Sequence, residues 1–88
     1  MSNISFSEDA WEDYLYWQLQ DKKTLKKINE LLKEIQRTSF SGKGEPEKLR
    51  GDLNGKWSRR INLKHRLVYE ISDEQIIVIK CKAHYTIT

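Results

Sequence analysis

The spacing of apolar residues changes once along the chain, and that change limits the possible folds more than any other feature. Leu25, Ile28, Leu31, Leu32 and Ile35 recur every three or four residues, with Lys22, Lys23, Lys26, Lys27 and Lys33 facing away. That is the stripe of an amphipathic helix. From Trp57 onward the period is two. Trp57 and Ile61 share one parity, then Leu67, Tyr69 and Ile71, then Ile77, Ile79, Cys81 and Ala83. Half-buried strands alternate in this way. The pattern predicts an α+β domain, in which an antiparallel meander covers its helices with one face and leaves the other face open.

The punctuation fits. Residues 2–6 alternate polar and apolar and read as a short strand. Ser7 stands where an N-cap belongs, with Glu8 and Asp9 in the first turn, where the helix dipole favours negative charge. Ala10, Trp11, Tyr14 and Leu15 carry this first helix to about Gln20, and Asp21 can cap a second that stops near Thr38. The short spacer favours a helical hairpin. The aromatic trio Trp11, Tyr14 and Trp17 reads as core or partner packing rather than a base-stacking platform. The stretch "SFSGKGEPEKLRGDLNGKW" holds every glycine and the only proline, so it is the irregular region, with a brief extended piece at Glu47–Leu49. Asn54-Gly55 is a strong turn signal, and "NLKH" and "SDEQ" separate the three later strands. Eighty-eight residues make one domain, 1–88.

No segment reaches the roughly 18 continuous apolar residues of a membrane span. The N-terminus lacks a basic region followed by an apolar stretch, so no secretory signal is expected. A single cysteine excludes an internal disulfide, and a reducing, cytoplasmic compartment is the simplest home. One cysteine and two distant histidines give no zinc-type ligand spacing, so neither metal nor cofactor is expected. The formal net charge is only +3, but its distribution is uneven. Arg50, Lys56, Arg59, Arg60, Lys64, Arg66, Lys80 and Lys82 crowd the second half. Such a half-molecule attracts polyanions, of which RNA and DNA are the commonest, although a merely solvated cationic surface gives the same composition.

Parity places Arg60, Arg66, Lys80, Lys82 and His84 on the open face, and chain order brings Glu47 beside them. A carboxylate, a histidine and an arginine around one cleft could supply a general base, a general acid and a cation for a phosphorane-like transition state. RNA cleavage by 2′-hydroxyl attack uses that set. Histidine suits the acid role because its ordinary pKa of about 6.5 leaves both forms accessible near neutrality. A glutamate at about 4.3 is a weak base until it loses water. From spacing alone, a structural or merely exposed histidine is the commoner case.

The stretches "AWEDYLYW", "KKINELLKEIQRTSFSGKGEPEKL", "LNGKWSRRI", "HRLVYEI" and the final "HY" carry more information. In order, and over nearly the full length, the chain closely resembles the YoeB/Txe toxins, a branch of the RelE superfamily in type II toxin–antitoxin systems. The resemblance implies a microbial-ribonuclease-like fold, an antiparallel sheet with two helices on one face. It also implies an mRNA endoribonuclease that enters the ribosomal A site. By that pattern Glu47 is the general base, Arg66 the transition-state cation and His84 the general acid, with Tyr85 shaping the site. Arg60 becomes a further phosphate or ribosomal-RNA contact, within a binding set of Arg50, Lys56, Arg59, Arg60, Lys80 and Lys82. Arg50 stands where relatives carry lysine. His65 reads as structural, or as support for Arg66. The chain departs from the pattern by continuing past Tyr85 with Thr86, Ile87 and Thr88.

The implied partners are a YefM/Axe-like antitoxin with an acidic C-terminal segment, the ribosome and its mRNA, and operator DNA reached only through the toxin–antitoxin complex. Homodimerisation is open. Two other functions share the basic face: a non-catalytic translation blocker, and a DNA-binding co-repressor. The presence of every expected catalytic residue type favours the enzyme.

Overall fold

Ser7 ends one element and begins the next. In the computed structural model of the protein, which describes residues 3–83, it joins β1 (Asn3–Phe6) to α1 (Glu8–Gln20). Its hydroxyl accepts from the Ala10 amide at 3.1 Å and donates to the Ile79 carbonyl at 2.8 Å. One side chain therefore caps the helix and pins its start to the sheet.

Asp21 does similar double duty between α1 and α2 (Lys22–Arg37). Its amide donates to the Trp17 carbonyl, closing α1, while its carboxylate accepts from the Lys23 and Thr24 amides and the Thr24 hydroxyl. The Thr24 hydroxyl and the two amides hold its carboxyl below the ordinary aspartate value. A one-residue hinge allows no slack, so the helices form the expected hairpin. The expected stripe is also seen: Ile28, Leu31 and Ile35 are fully buried. Each contributes about 1.5–3 kcal/mol of transfer free energy.

Five strands make one sheet in the order β1-β5-β4-β3-β2. β2 is Glu47–Lys48, β3 Trp57–Arg60, β4 Arg66–Ser72 and β5 Gln75–Lys80. The pairs β2–β3, β3–β4 and β4–β5 are antiparallel, as the meander requires. β1 pairs parallel with β5 along Asn3–Phe6. The hairpin between β4 and β5 turns on Asp73 and Glu74, both at positive φ (49° and 63°), the twist-matched form of a two-residue loop.

Parity on the last strand is corrected by a β-bulge. Val68 pairs with Lys80 but Tyr69 pairs with Val78, leaving Ile79 as an extra residue. The helices are therefore met by Ile76 and Val78 before the bulge and Cys81 after it, not by Ile77 and Ile79. Strand β5 also ends at Lys80, earlier than the alternation suggests. The main core joins Ala10, Trp17, Ile28, Leu31 and Ile35 to Leu67, Tyr69, Ile76, Val78 and Cys81. Of Trp11, Tyr14 and Trp17 on α1, Trp17 is buried there, whereas Trp11 stacks on Tyr14 and stays 48% exposed.

Candidate active site on the open sheet face

The register aligns four residues across four strands: Glu47, Ser58, Val68 and Lys80, from β2, β3, β4 and β5 in turn. Directly paired residues point to the same side of a sheet. Val68 is buried outside the helix-facing core, so this row lies on the other face. Arg60 and Arg66 form the adjacent row. Ser58 and Val68 make a solvent-excluded floor, with charged side chains around it.

Glu47 and Arg66 come together. The Glu47 Oε2 lies 3.8 Å from Arg66 Nη1, with the arginine side chain 16% exposed and the carboxylate 65% exposed. The floor and neighbouring strands confine the guanidinium, whereas the carboxylate stands at the sheet margin, open to a ligand. Arg60 meets Glu45 at 3.4 Å, and Lys56 meets Glu70 at 3.9 Å. Arg50, at the start of a short 3₁₀ turn, is exposed. The bulge decides the place of Lys80. Without the extra Ile79 it would share the parity of Val78 and face the helices; with it, Lys80 joins the row of Glu47.

Two expected binding residues are elsewhere. Arg59 is fully buried on the helix side, donating to the Tyr69 hydroxyl at 3.1 Å, the Lys43 carbonyl at 2.9 Å and the Thr38 carbonyl at 2.6 Å. It shares the parity of Trp57 and Ile61, and three acceptors engage its three nitrogens inside the fold, so it is not placed as a surface contact for RNA. Lys82 turns toward α1, with Nζ 3.8 Å from the centroid of the Tyr16 ring. The strand has ended before it, so alternation no longer governs its direction. His84 and Tyr85 lie outside the described residues.

Sequence reasoning passed over Ser58 and Val68, although their parity with Arg60 and Arg66 in "WSRRI" and "HRLVY" was a usable signal. The Ser58 hydroxyl is buried and has no hydrogen-bond partner among the described residues. It also left His65 without a definite task. The His65 ring receives the Ala83 amide at Nδ1 (2.7 Å), and burial, followed by the charges of Lys64 and Lys82, lowers its pKa.

The comparison with known proteins decides the family. The description "YoeB-like toxin of bacterial type II toxin-antitoxin system" matches residues 6–85. The chain belongs to this family. It is 54% identical over 82 residues to the toxin YoeB of Escherichia coli K12, spanning 93% of this chain and 98% of that one. In the heterotetrameric YoeB–YefM complex from Staphylococcus aureus, a chain 55% identical superposes with a TM-score of 0.89, covering 97% of this chain and 99% of its own length. The S. aureus YoeB dimer gives the same TM-score at 55% identity, with 96% and 98% covered. The expected YoeB-like architecture, two helices on one face of a mostly antiparallel sheet, is thus the one found. In this YoeB-like toxin the matched span includes the His84-Tyr85 pair as well as the Glu47–Arg66 contact.

Proposed function

We propose that this YoeB-like toxin is a ribosome-dependent mRNA endoribonuclease, cutting the message in the A site without a metal and so inhibiting translation. The observation that carries the reading is the meeting of Glu47 and Arg66 on an open face lined by cations. Glu47 takes the proton of the ribose 2′-hydroxyl. The 2′-oxygen attacks the adjacent phosphorus in line, and Arg66 balances the charge that develops on the phosphoryl oxygens. The bond to the 5′-oxygen breaks, and His84 gives that oxygen a proton. The products are a 2′,3′-cyclic phosphate and a 5′-hydroxyl, and the proton held by Glu47 returns through solvent to His84. Tyr85 shapes the pocket.

Arg60, Lys56, Lys80 and Arg50 hold the RNA or ribosomal backbone. Arg60 and Lys56 are already paired with carboxylates, which a phosphate would displace. Exposed carboxylates are weak bases, and docking in the A site, by stripping water from Glu47, makes it a better one. That is the physical sense of dependence on the ribosome.

The same face attracts an acidic antitoxin segment. The assembly of S. aureus YoeB with YefM supports a YefM-like antitoxin here, with operator DNA bound through the complex. The S. aureus dimer supports self-association. No helix among the described residues is long and apolar enough to cross a membrane, which is compatible with a cytoplasmic site of action.

The test is incubation of the purified protein, and of Glu47→Ala and His84→Ala, with mRNA-programmed ribosomes, followed by mapping of RNA ends. Discrete A-site cuts with cyclic-phosphate ends, lost in both folded variants, are expected. Stalled ribosomes on intact mRNA would instead make the protein a blocker.

A further inference from the structure

The segment that leaves β5 is held by side chains and backbone from elsewhere in the fold. The Cys81 amide donates to Asp13 at 3.1 Å, and the Cys81 carbonyl accepts from the Trp17 indole at 2.8 Å. Lys82 lies over Tyr16. The Ala83 carbonyl accepts from the Arg66 amide at 3.2 Å, and the Ala83 amide donates to His65 Nδ1 at 2.7 Å. Ala83 sits at φ +76°, a conformation that a non-glycine residue adopts at a cost and keeps only where its surroundings impose it. The next residue in the chain is His84.

His65 is itself fixed. The Asn62 side chain accepts from the Lys64 and His65 amides, and the His65 carbonyl accepts from the Ile61 amide at 3.0 Å. The Trp17 ring meets the imidazole edge-on, centroids 4.7 Å apart. Accepting at Nδ1 requires the neutral ring with its proton on Nε2. An imidazolium would set an N–H against an N–H. The charged groups facing the ring are Lys64 from its own turn, Lys82 from the exit segment and Asp13 from α1. The two lysines and burial oppose protonation, and Asp13 favours it.

We propose that His65 is a positioning residue: its neutral ring, holding the Ala83 amide, sets where the chain enters the His84-Tyr85 pair. The inference rests on the proposed acid role of His84, and it adds a residue with no contact to RNA. It also couples two neighbours in sequence. Arg66 offers its guanidinium to the cleft while its own amide and the ring before it anchor the segment that leads to the acid.

Two readouts separate the clasp from the catalysis. Amide exchange at Ala83, followed by NMR on the free protein, tests the clasp alone. Exchange speeds up in His65→Ala and stays slow in His65→Asn, whose Oδ1 can accept where Nδ1 does. Cleavage on programmed ribosomes tests the consequence. In His65→Ala, kcat falls by up to about 10²-fold with KM little changed, the size expected for a misplaced reacting group, and Asn restores most of it. The wild type also shows one more ionisation on the acid limb of its pH–rate profile than His65→Asn. Thermal melts confirm that both variants are folded. Equal Ala83 exchange in wild type and His65→Ala would overturn the clasp. Faster exchange with unchanged kcat would overturn the positioning role. Absence of cleavage by the wild type would overturn the nuclease reading, while the exchange data would still decide the clasp.

Discussion

Arg59 and Tyr69 are neighbours on adjacent strands, and the guanidinium Nε donates to the phenol oxygen at 3.1 Å inside the protein. The Tyr69 hydroxyl in turn donates to the Ser39 carbonyl at 2.8 Å. Together with the bonds from Arg59 to Thr38 and Lys43, this ties the loop after α2 to the middle of the sheet. That loop leads into β2 and therefore to Glu47. A buried cation, in the wrong place to touch RNA, supports the strand that carries the proposed base.

Arg59→Ala is therefore expected to destabilise the fold by about 3–5 kcal/mol, because it leaves the buried Tyr69 hydroxyl and two partly buried carbonyls without their donor. Tyr69→Phe should cost less, about 1–2 kcal/mol, since the ring still fills its place. Urea unfolding of both variants checks the ranking. An Arg59→Ala protein as stable as wild type would refute the staple.

Gly42 sits at φ +100°, and a Cβ there would collide with Glu34 Oε2. The Glu34 carboxylate is fixed in turn by Arg37 and the Lys43 amide. Gly42→Ala is expected to lower stability by about 1–3 kcal/mol through backbone strain and the displaced carboxylate. Thermal denaturation compared with Gly55→Ala, whose Cβ would meet nothing within 4 Å, isolates the steric part.

Arg66 and Arg60 pair across β3 and β4 and carry the same charge, yet differ in setting. Arg66 is confined beside Glu47, whereas Arg60 is exposed and paired with Glu45. Single-turnover cleavage by Arg66→Ala should drop about 10²–10³-fold at all salt concentrations, as for loss of a transition-state donor. Arg60→Ala should weaken binding at low salt and converge with wild type as screening grows. Identical salt dependence for the two would reduce Arg66 to a steering charge.

The depressed pKa of His65 has a sign that can be checked. Burial, then Lys64 and Lys82, keep the folded ring neutral below the ordinary value of about 6.5, while the unfolded chain takes up the proton there. The stabilisation is complete above pH 6.5 and is lost as pH falls from that value toward the lowered one. Urea midpoints measured at pH 7.5 and pH 5 should thus fall further for wild type than for His65→Asn. A parallel decline in both would assign the acid sensitivity to other groups.

The sequence by itself determined the two periods and the caps and turns that bound the helices and the hairpins. Ser7 and Asp21 cap helices because their side-chain oxygens reach amides two or three residues on, and Gly55 supplies a positive φ (90°) after Asn54. Those are local relationships, carried within a few bonds. It also placed Arg60 and Arg66 on one face, since their parity is counted along unbroken strands, and chain order brought Glu47 beside them. Only the tertiary structure decided the rest. The bulge at Ile79 depends on how β5 registers against β4, and it reversed the expected burial of Ile76 through Ile79 while putting Lys80 in the row of Glu47. The parallel seat of β1, the burial of Arg59 and the bond from His65 to Ala83 depend on partners 10 to 72 residues away. A charged residue or a histidine looks the same in sequence whether it faces solvent or closes a network. Which of the two occurs depends on the acceptors that folding brings within reach.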